Sequence, residues 1–114
     1  MQESNCKEVL CWLTRRRRRC RVAGSSMLPL LSADDEVLVD LKAYRHQNPL
    51  IGDIVIARHP TQAGLQIIKR IKGMDENGRY QLRGDNPDPA RNSSIMVHFS
   101  LILGRVTSRF AAVK

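Results

Sequence analysis

Aromatic side chains are scarce in this 114-residue chain, with one Trp, two Tyr and two Phe. They are sparse and none lies within the basic run of residues 15–21, so the stacking platforms of a single-strand nucleic-acid binder are missing. Cysteines number three, Cys6, Cys11 and Cys20. An odd count crowded near the N-terminus lacks the paired close spacing of a structural zinc site, and free thiols in a reducing cytosol are expected. Long apolar runs are lacking there too. Val9 to Leu13 falls well short of the roughly 20 residues that cross a bilayer, and the arginines follow it rather than precede it, which argues against an anchor or a secretory signal.

Positive charge is in excess, 19 Lys and Arg against 11 Asp and Glu, a formal +8. Six of the basic residues lie in residues 15–21, so the remainder carries 13 basic against 11 acidic side chains and is nearly balanced. A basic surface spread over the whole domain is not indicated, and nucleic acid is not an expected partner. Cys6 to Arg21 reads as a solvated, partly helical arm, with peripheral docking of Arg15 to Arg19 on an anionic membrane surface or acidic partner as the alternative. The chain thus divides into a basic arm, residues 1–21, and one domain, residues 22–114, large enough for a single modest core.

From Asp35 onward the chain alternates short β-favouring runs with turn chemistry. Val37-Leu38-Val39, Ile54 to Ala57, Leu65 to Ile71, Tyr80 to Leu82 and Leu101 to Leu103 are the runs. Asp34-Asp35, Asn48-Pro49, Gly52-Asp53, His59-Pro60, Ala63-Gly64, Asn77-Gly78 and Gly84 to Pro87 are the breaks. This spacing predicts a mainly β domain of curled antiparallel sheets or a partial barrel. Asn77-Gly78 suits a tight primed turn and would pair Leu65–Lys72 with Arg79–Arg83. The two-residue period then puts Ile67, Lys69 and Ile71 on one face and Ile68, Arg70 and Lys72 on the other.

Ser26, in "GSSMLPLL", needs a base to act as a nucleophile. His46, His59, His98 and Lys69 are the candidates. No Gly-x-Ser-x-Gly elbow surrounds Ser26, and each histidine sits in loop context, which counts against a Ser-His triad of the hydrolase type. A lysine base must present a neutral amine, and apolar surroundings favour that form. Lys69, flanked by isoleucines on its own face, has such surroundings; a snorkelling surface lysine is the alternative.

Read together, Gly24-Ser25-Ser26-Met27-Leu28-Pro29, Asp35 to Val39, Gly52 to Ile56, Ile68-Lys69-Arg70-Ile71 and Gly84-Asp85-Asn86 resemble, in order, the motifs of the signal peptidase I family of serine proteases. The resemblance covers residues 22–106. It implies that Ser26 is the nucleophile and Lys69 the general base, with the backbone N–H of Ser26 as one oxyanion donor. Many members draw a second donor from the residue two before the nucleophile; that residue here is Gly24, which has only its backbone to offer. Substrate in the family lies as an extended strand between the segments before the serine and before the lysine, here Val22-Ala23-Gly24 and Gln66-Ile67-Ile68. Arg70 and Asp85 resemble a family ion pair supporting the turn that contains Asn86.

Three departures accompany the resemblance. Asp34 stands where the family has a turn glycine, a substitution that Asp tolerates in the left-handed region. The family's Ser and Asp that hold the lysine are missing from Pro89 to Ser94, where Asn92 or Ser93 is the candidate substitute. The usual N-terminal membrane anchor is also not seen. "VLVDLKAYR", "GDIVIARHP", "GLQIIKRI" and "GRVTSRF" are most similar to the nickel-type superoxide dismutase maturation proteases, which implies a cytoplasmic endopeptidase that removes the N-terminal propeptide of that proenzyme. Such chemistry requires no metal or organic cofactor. A catalytically weak or inactive protease-like binding module is the alternative, supported by the altered Ala90 to Ser94 segment. The self-cleaving domain of SOS-type repressors shares the Ser/Lys chemistry, but the chain lacks room for the cleavable linker and DNA-binding domain of those proteins.

Overall fold

The computed structural model of the chain describes residues 9–14 and 17–110, with side chains described at Val9 and from Arg19 onward. The strands are β1 (Val9–Thr14), β2 (Arg17–Val22), β3 (Glu36–Asp40), β4 (Ile54–Arg58), β5 (Gln66–Met74), β6 (Tyr80–Arg83), β7 (Ser94–Val97) and β8 (Ile102–Phe110). A 3₁₀ turn, Phe99–Leu101, precedes β8. Val and Ile fill the centres of β3, β4 and β5, as their stiff branched side chains favour a pleated, packed surface. Among the described residues no helix is long and apolar enough to cross a membrane.

All eight strands join one antiparallel sheet in the order β1-β2-β3-β8-β4-β5-β6-β7. Its edge strand β1 also touches β5. The sheet therefore curls into a ring of β1, β2, β3, β8, β4 and β5, with β6 and β7 continuing from β5 as an extension. Val9, Cys20, Val22, Met27, Leu31, Val37, Val39, Ile56 and Ile68 form the cluster inside the ring. A second cluster gathers Val55, Ala57, Ile67 and Ile71 with Leu82 and Val97 of the extension. β5 is thus apolar on both faces, and the expected alternation holds, with Ile67 and Ile71 in one cluster and Ile68 in the other.

The segment expected to be a solvated, partly helical arm forms β1 and β2, and the boundary drawn between residues 21 and 22 falls within β2. Alternation explains the difference. Cys20 and Val22 turn inward and are buried, while Arg19 and Arg21 turn outward, where both meet Glu36 of β3. Arg19 also lies over the Phe110 ring, 5.9 Å from its centroid. The arginine run hid a strand that turns Cys20 and Val22 inward.

Cys20, expected as a free thiol, is disulfide-bonded. Cys11 stands opposite it in the β1–β2 register, and facing Cα atoms of an antiparallel pair lie within the span that a disulfide requires. Sequence spacing alone cannot reveal that register. Free thiols were one support for a cytoplasmic setting, and that support is removed.

The hairpin around Asn77-Gly78 pairs β5 with β6 as expected, Met74 facing Tyr80. Its turn differs from a two-residue loop. Asp75 N–H bonds the Arg79 carbonyl at 2.9 Å, closing a three-residue connection with Gly78 at φ 79°. The Asp75 carboxylate takes the Asn77 and Arg79 amides, which favours this wider turn and holds its carboxyl below the usual range. Asp34 has φ 73°, the left-handed conformation anticipated for it.

Leu82 is fully buried and joins β6 to the second cluster. Leu82→Ala is expected to lower stability by about 2–5 kcal/mol, since truncation leaves a cavity as well as losing apolar burial. A urea unfolding curve should show a lower midpoint with the slope unchanged.

Candidate active site

Ser26 lies in the turn-rich segment that follows β2, partly buried, and the next residue, Met27, is anchored inside the ring. This anchoring fixes the chain on one side of the serine. On the other side, Asn86 N–H donates to the Ser26 carbonyl at 2.8 Å, and Asn86 Nδ2 donates to the Ser25 carbonyl at 2.7 Å. Both carbonyls around the serine are thereby clamped by one asparagine. Ser26 N–H has no acceptor among the described residues, so its donor remains available.

Gly84 explains how two backbones come so close. A Cβ built at position 84 would fall 2.4 Å from the Ser26 carbonyl oxygen and 3.0 Å from Ser26 Cβ. Only a residue without a side chain fits here.

Lys69 sits in the middle of β5, 5% exposed, across from Val55 of β4. On the β6 side the ladder ends at the pair Arg70 with Arg83, one residue short of Lys69 and of Gly84. The direction in which Gly84 would project is the direction of Ser26. The Ser26 loop is thus seated on Gly84, one residue past the end of the ladder that joins β6 to the strand of Lys69.

The turn that joins them is itself braced. Arg70 donates through Nε and Nη2 to the two Asp85 carboxylate oxygens at 2.9 and 2.8 Å, and through Nη1 to the Gly52 carbonyl at 2.7 Å. The Asp85 hydrogen bonds hold the guanidinium charged, raising its pKa further. Both side chains are partly shielded, which makes this forked pair firmer than an exposed ion pair.

Asn92, expected as a substitute for the family residues that hold the lysine, is buried and donates to the Asn86 carbonyl at 2.6 Å. It braces the glycine turn. Ser93 is exposed. Sequence reading missed Arg91, whose Nη1 lies 3.1 Å from Ser25 Oγ and so reaches the serine loop from the same segment. Only the fold could reveal this contact.

Of the residues expected to pair with substrate, Val22 is already used. Its N–H donates to the Asp35 carbonyl and its carbonyl accepts from Asp34 N–H, both at 2.8 Å, because the Asp34 turn folds back onto β2. Ala23 and Gly24 remain beyond the end of β2. Gln66, Ile67 and Ile68 lie on β5 with β4 along one edge, and the β6 ladder stops at Arg70 on the other.

The histidines considered as bases are accounted for locally. His59 Nδ1 accepts from Thr61 and Gln62 amides, and His98 Nδ1 from Ser100 N–H, each closing its own turn. His46 is exposed in a bend.

A curled antiparallel sheet with a serine loop seated on the Gly84–Asn86 turn and a buried lysine on β5 accords with a class of serine peptidase. The family model described as signal peptidase, peptidase S26, matches residues 10–77, more than half of the chain. The chain belongs to this family and is a serine endopeptidase of the signal peptidase I kind, acting on N-terminal peptides of protein substrates. No curated protein and no solved structure matched the chain. The matched region includes Ser26 and Lys69 and ends before the Gly84 turn.

Gly84→Ala is expected to push the serine loop off its seat, costing about 1–3 kcal/mol of stability. Peptidase activity should fall by more than tenfold in protein whose circular dichroism is still native, because displacement near the reacting atoms is costly.

Proposed function

We propose that Ser26 is the nucleophile and Lys69 the general base of a dyad that cleaves a precursor protein through an acyl-enzyme. Neutral Lys69 takes the proton from Ser26 Oγ as the oxygen attacks the scissile carbonyl. Collapse of the tetrahedral intermediate expels the amine, which receives that proton from Lys69. Lys69 then activates water against the ester and restores Ser26. The Ser26 N–H, with the Gly24 backbone beside it, donates to the oxyanion where charge develops.

The observation that carries this reading is the seat of Ser26 on Gly84, at the end of the ladder that joins β6 to the strand of Lys69. Burial of Lys69 on β5 supports it further. Ser26→Ala and Lys69→Ala should each lower turnover by about three orders of magnitude or more. Unchanged thermal unfolding in the variants would locate the loss in chemistry. Wild-type turnover in the lysine variant would remove the dyad. Absence of labelling by a fluorophosphonate in the native chain would favour the inactive binding module instead.

The substrate we propose is the nickel superoxide dismutase proenzyme, whose N-terminal propeptide would be removed. Its support is the likeness of "VLVDLKAYR", "GDIVIARHP", "GLQIIKRI" and "GRVTSRF" to the maturation proteases of that enzyme. Co-expression with such a precursor, followed by mass spectrometry of its N-terminus, should yield the mature form with the native chain and the precursor with Ser26→Ala. Precursor in both samples would remove this substrate.

A further inference from the structure

The serine loop is tied to the segment after Gly84 by more than the two Asn86 donors, through a circuit of hydrogen bonds that returns to Ser25. Asn86 Oδ1 accepts from Asp88 N–H at 2.9 Å, the Asp88 carbonyl accepts from Arg91 N–H at 2.9 Å, and Arg91 Nη1 donates to Ser25 Oγ at 3.1 Å. Every link but the last has a backbone group at one end or both. The guanidinium is therefore mounted in a short closed ring, on the residue next to Ser26.

Mounted in this way, Arg91 keeps a charge that the ring does not neutralise. Its ion-pair partner among the described residues is Asp88, 3.6 Å from Nε, and the two side chains are 60% and 53% exposed. A pair so open to water offsets little of either charge. Nη2 makes no bond among the described residues. Bracing alone does not account for an arginine here, because Asn86 already holds both carbonyls and one neutral donor would suffice for the Ser25 hydroxyl.

We propose that Arg91 is a specificity-determining residue, whose guanidinium takes an acidic side chain of the substrate close to the scissile bond. The proposal rests on the Ser26/Lys69 reading, which supplies that bond. A group held on the serine loop reaches on the order of 10 Å around the nucleophile, which is about three residues of an extended peptide. A planar guanidinium suits a carboxylate, and holding it in place beforehand reduces the ordering that binding requires.

The test uses the full chain and a decapeptide that it cleaves, drawn from a mixed library and remade with Glu or Gln at each of the three positions on either side of the cut. At one of these positions Glu should raise kcat/KM about three- to fivefold over Gln, mainly through KM, as befits an exposed charge pair. Arg91→Gln should remove this preference, and Arg91→Glu should reverse it in favour of Lys, each in protein with native circular dichroism. In the native chain the preference should shrink between about 50 mM and about 500 mM sodium chloride, since exposed charges are screened, a dependence that bracing would not produce. Equal rates for Glu and Gln at every position, in a chain whose Ser26 a fluorophosphonate labels, would overturn the proposal and leave the dyad standing. A preference that persists in Arg91→Gln would do the same, and so would one in the native chain that salt does not alter. A native chain that cleaves no peptide and takes no label would overturn the proposal together with the peptidase reading.

Discussion

The seating of the Gly84–Asn86 turn on the Ser25–Ser26 backbone is the contact on which the site depends. It joins two segments distant in sequence by two hydrogen bonds and an approach that excludes any side chain at position 84. A polar backbone brought this close to another must satisfy its donors and acceptors there, because water is excluded. Asn86 supplies two donors, and its own carbonyl is satisfied by Asn92. No buried side-chain nitrogen or oxygen among the described residues lacks a partner. The serine loop is consequently held by one backbone amide and one short side chain, a stiffer mounting than one made through long side chains.

The second constraint is curvature. An open antiparallel sheet would leave one face of β5 in water, and Lys69 would then solvate its ammonium there. Curling gives β5 an apolar cluster on each face, one inside the ring and one under β6 and β7. Lys69 is buried as a result. The Arg70 fork to Asp85 transmits that geometry to the glycine turn, since the residue next to the lysine grips the residue next to Gly84.

The strands of the protease body were legible because their code is local. Val37, Val39 and Val55 stand in runs read as strands and are buried there, and Asp34 takes the left-handed conformation its turn needs. β1 and β2 were not legible. A run of arginines reads as solvated, yet their strand presents Cys20 and Val22 inward while Glu36, close only in space, receives Arg19 and Arg21. The Asn77-Gly78 turn was read in location but not in type, because the Asp75 side chain adds two hydrogen bonds that dipeptide preference does not weigh. Ser26 and Lys69 could be chosen from sequence order; Arg91 and the bracing role of Asn92 could not.

By itself the sequence determined the local periods, the turns, the nucleophile and base candidates and the family to which the chain belongs. These depend on residue type and on spacing of a few positions. Only the tertiary structure decided that the Ser26 loop seats on Gly84, that Val22 has no backbone group left for substrate, and that β1 comes close to both β2 and β5. Each of these is a contact between distant segments, set by how far the sheet curls before its two clusters are filled. Curvature is a property of the packed whole, and no single strand carries it.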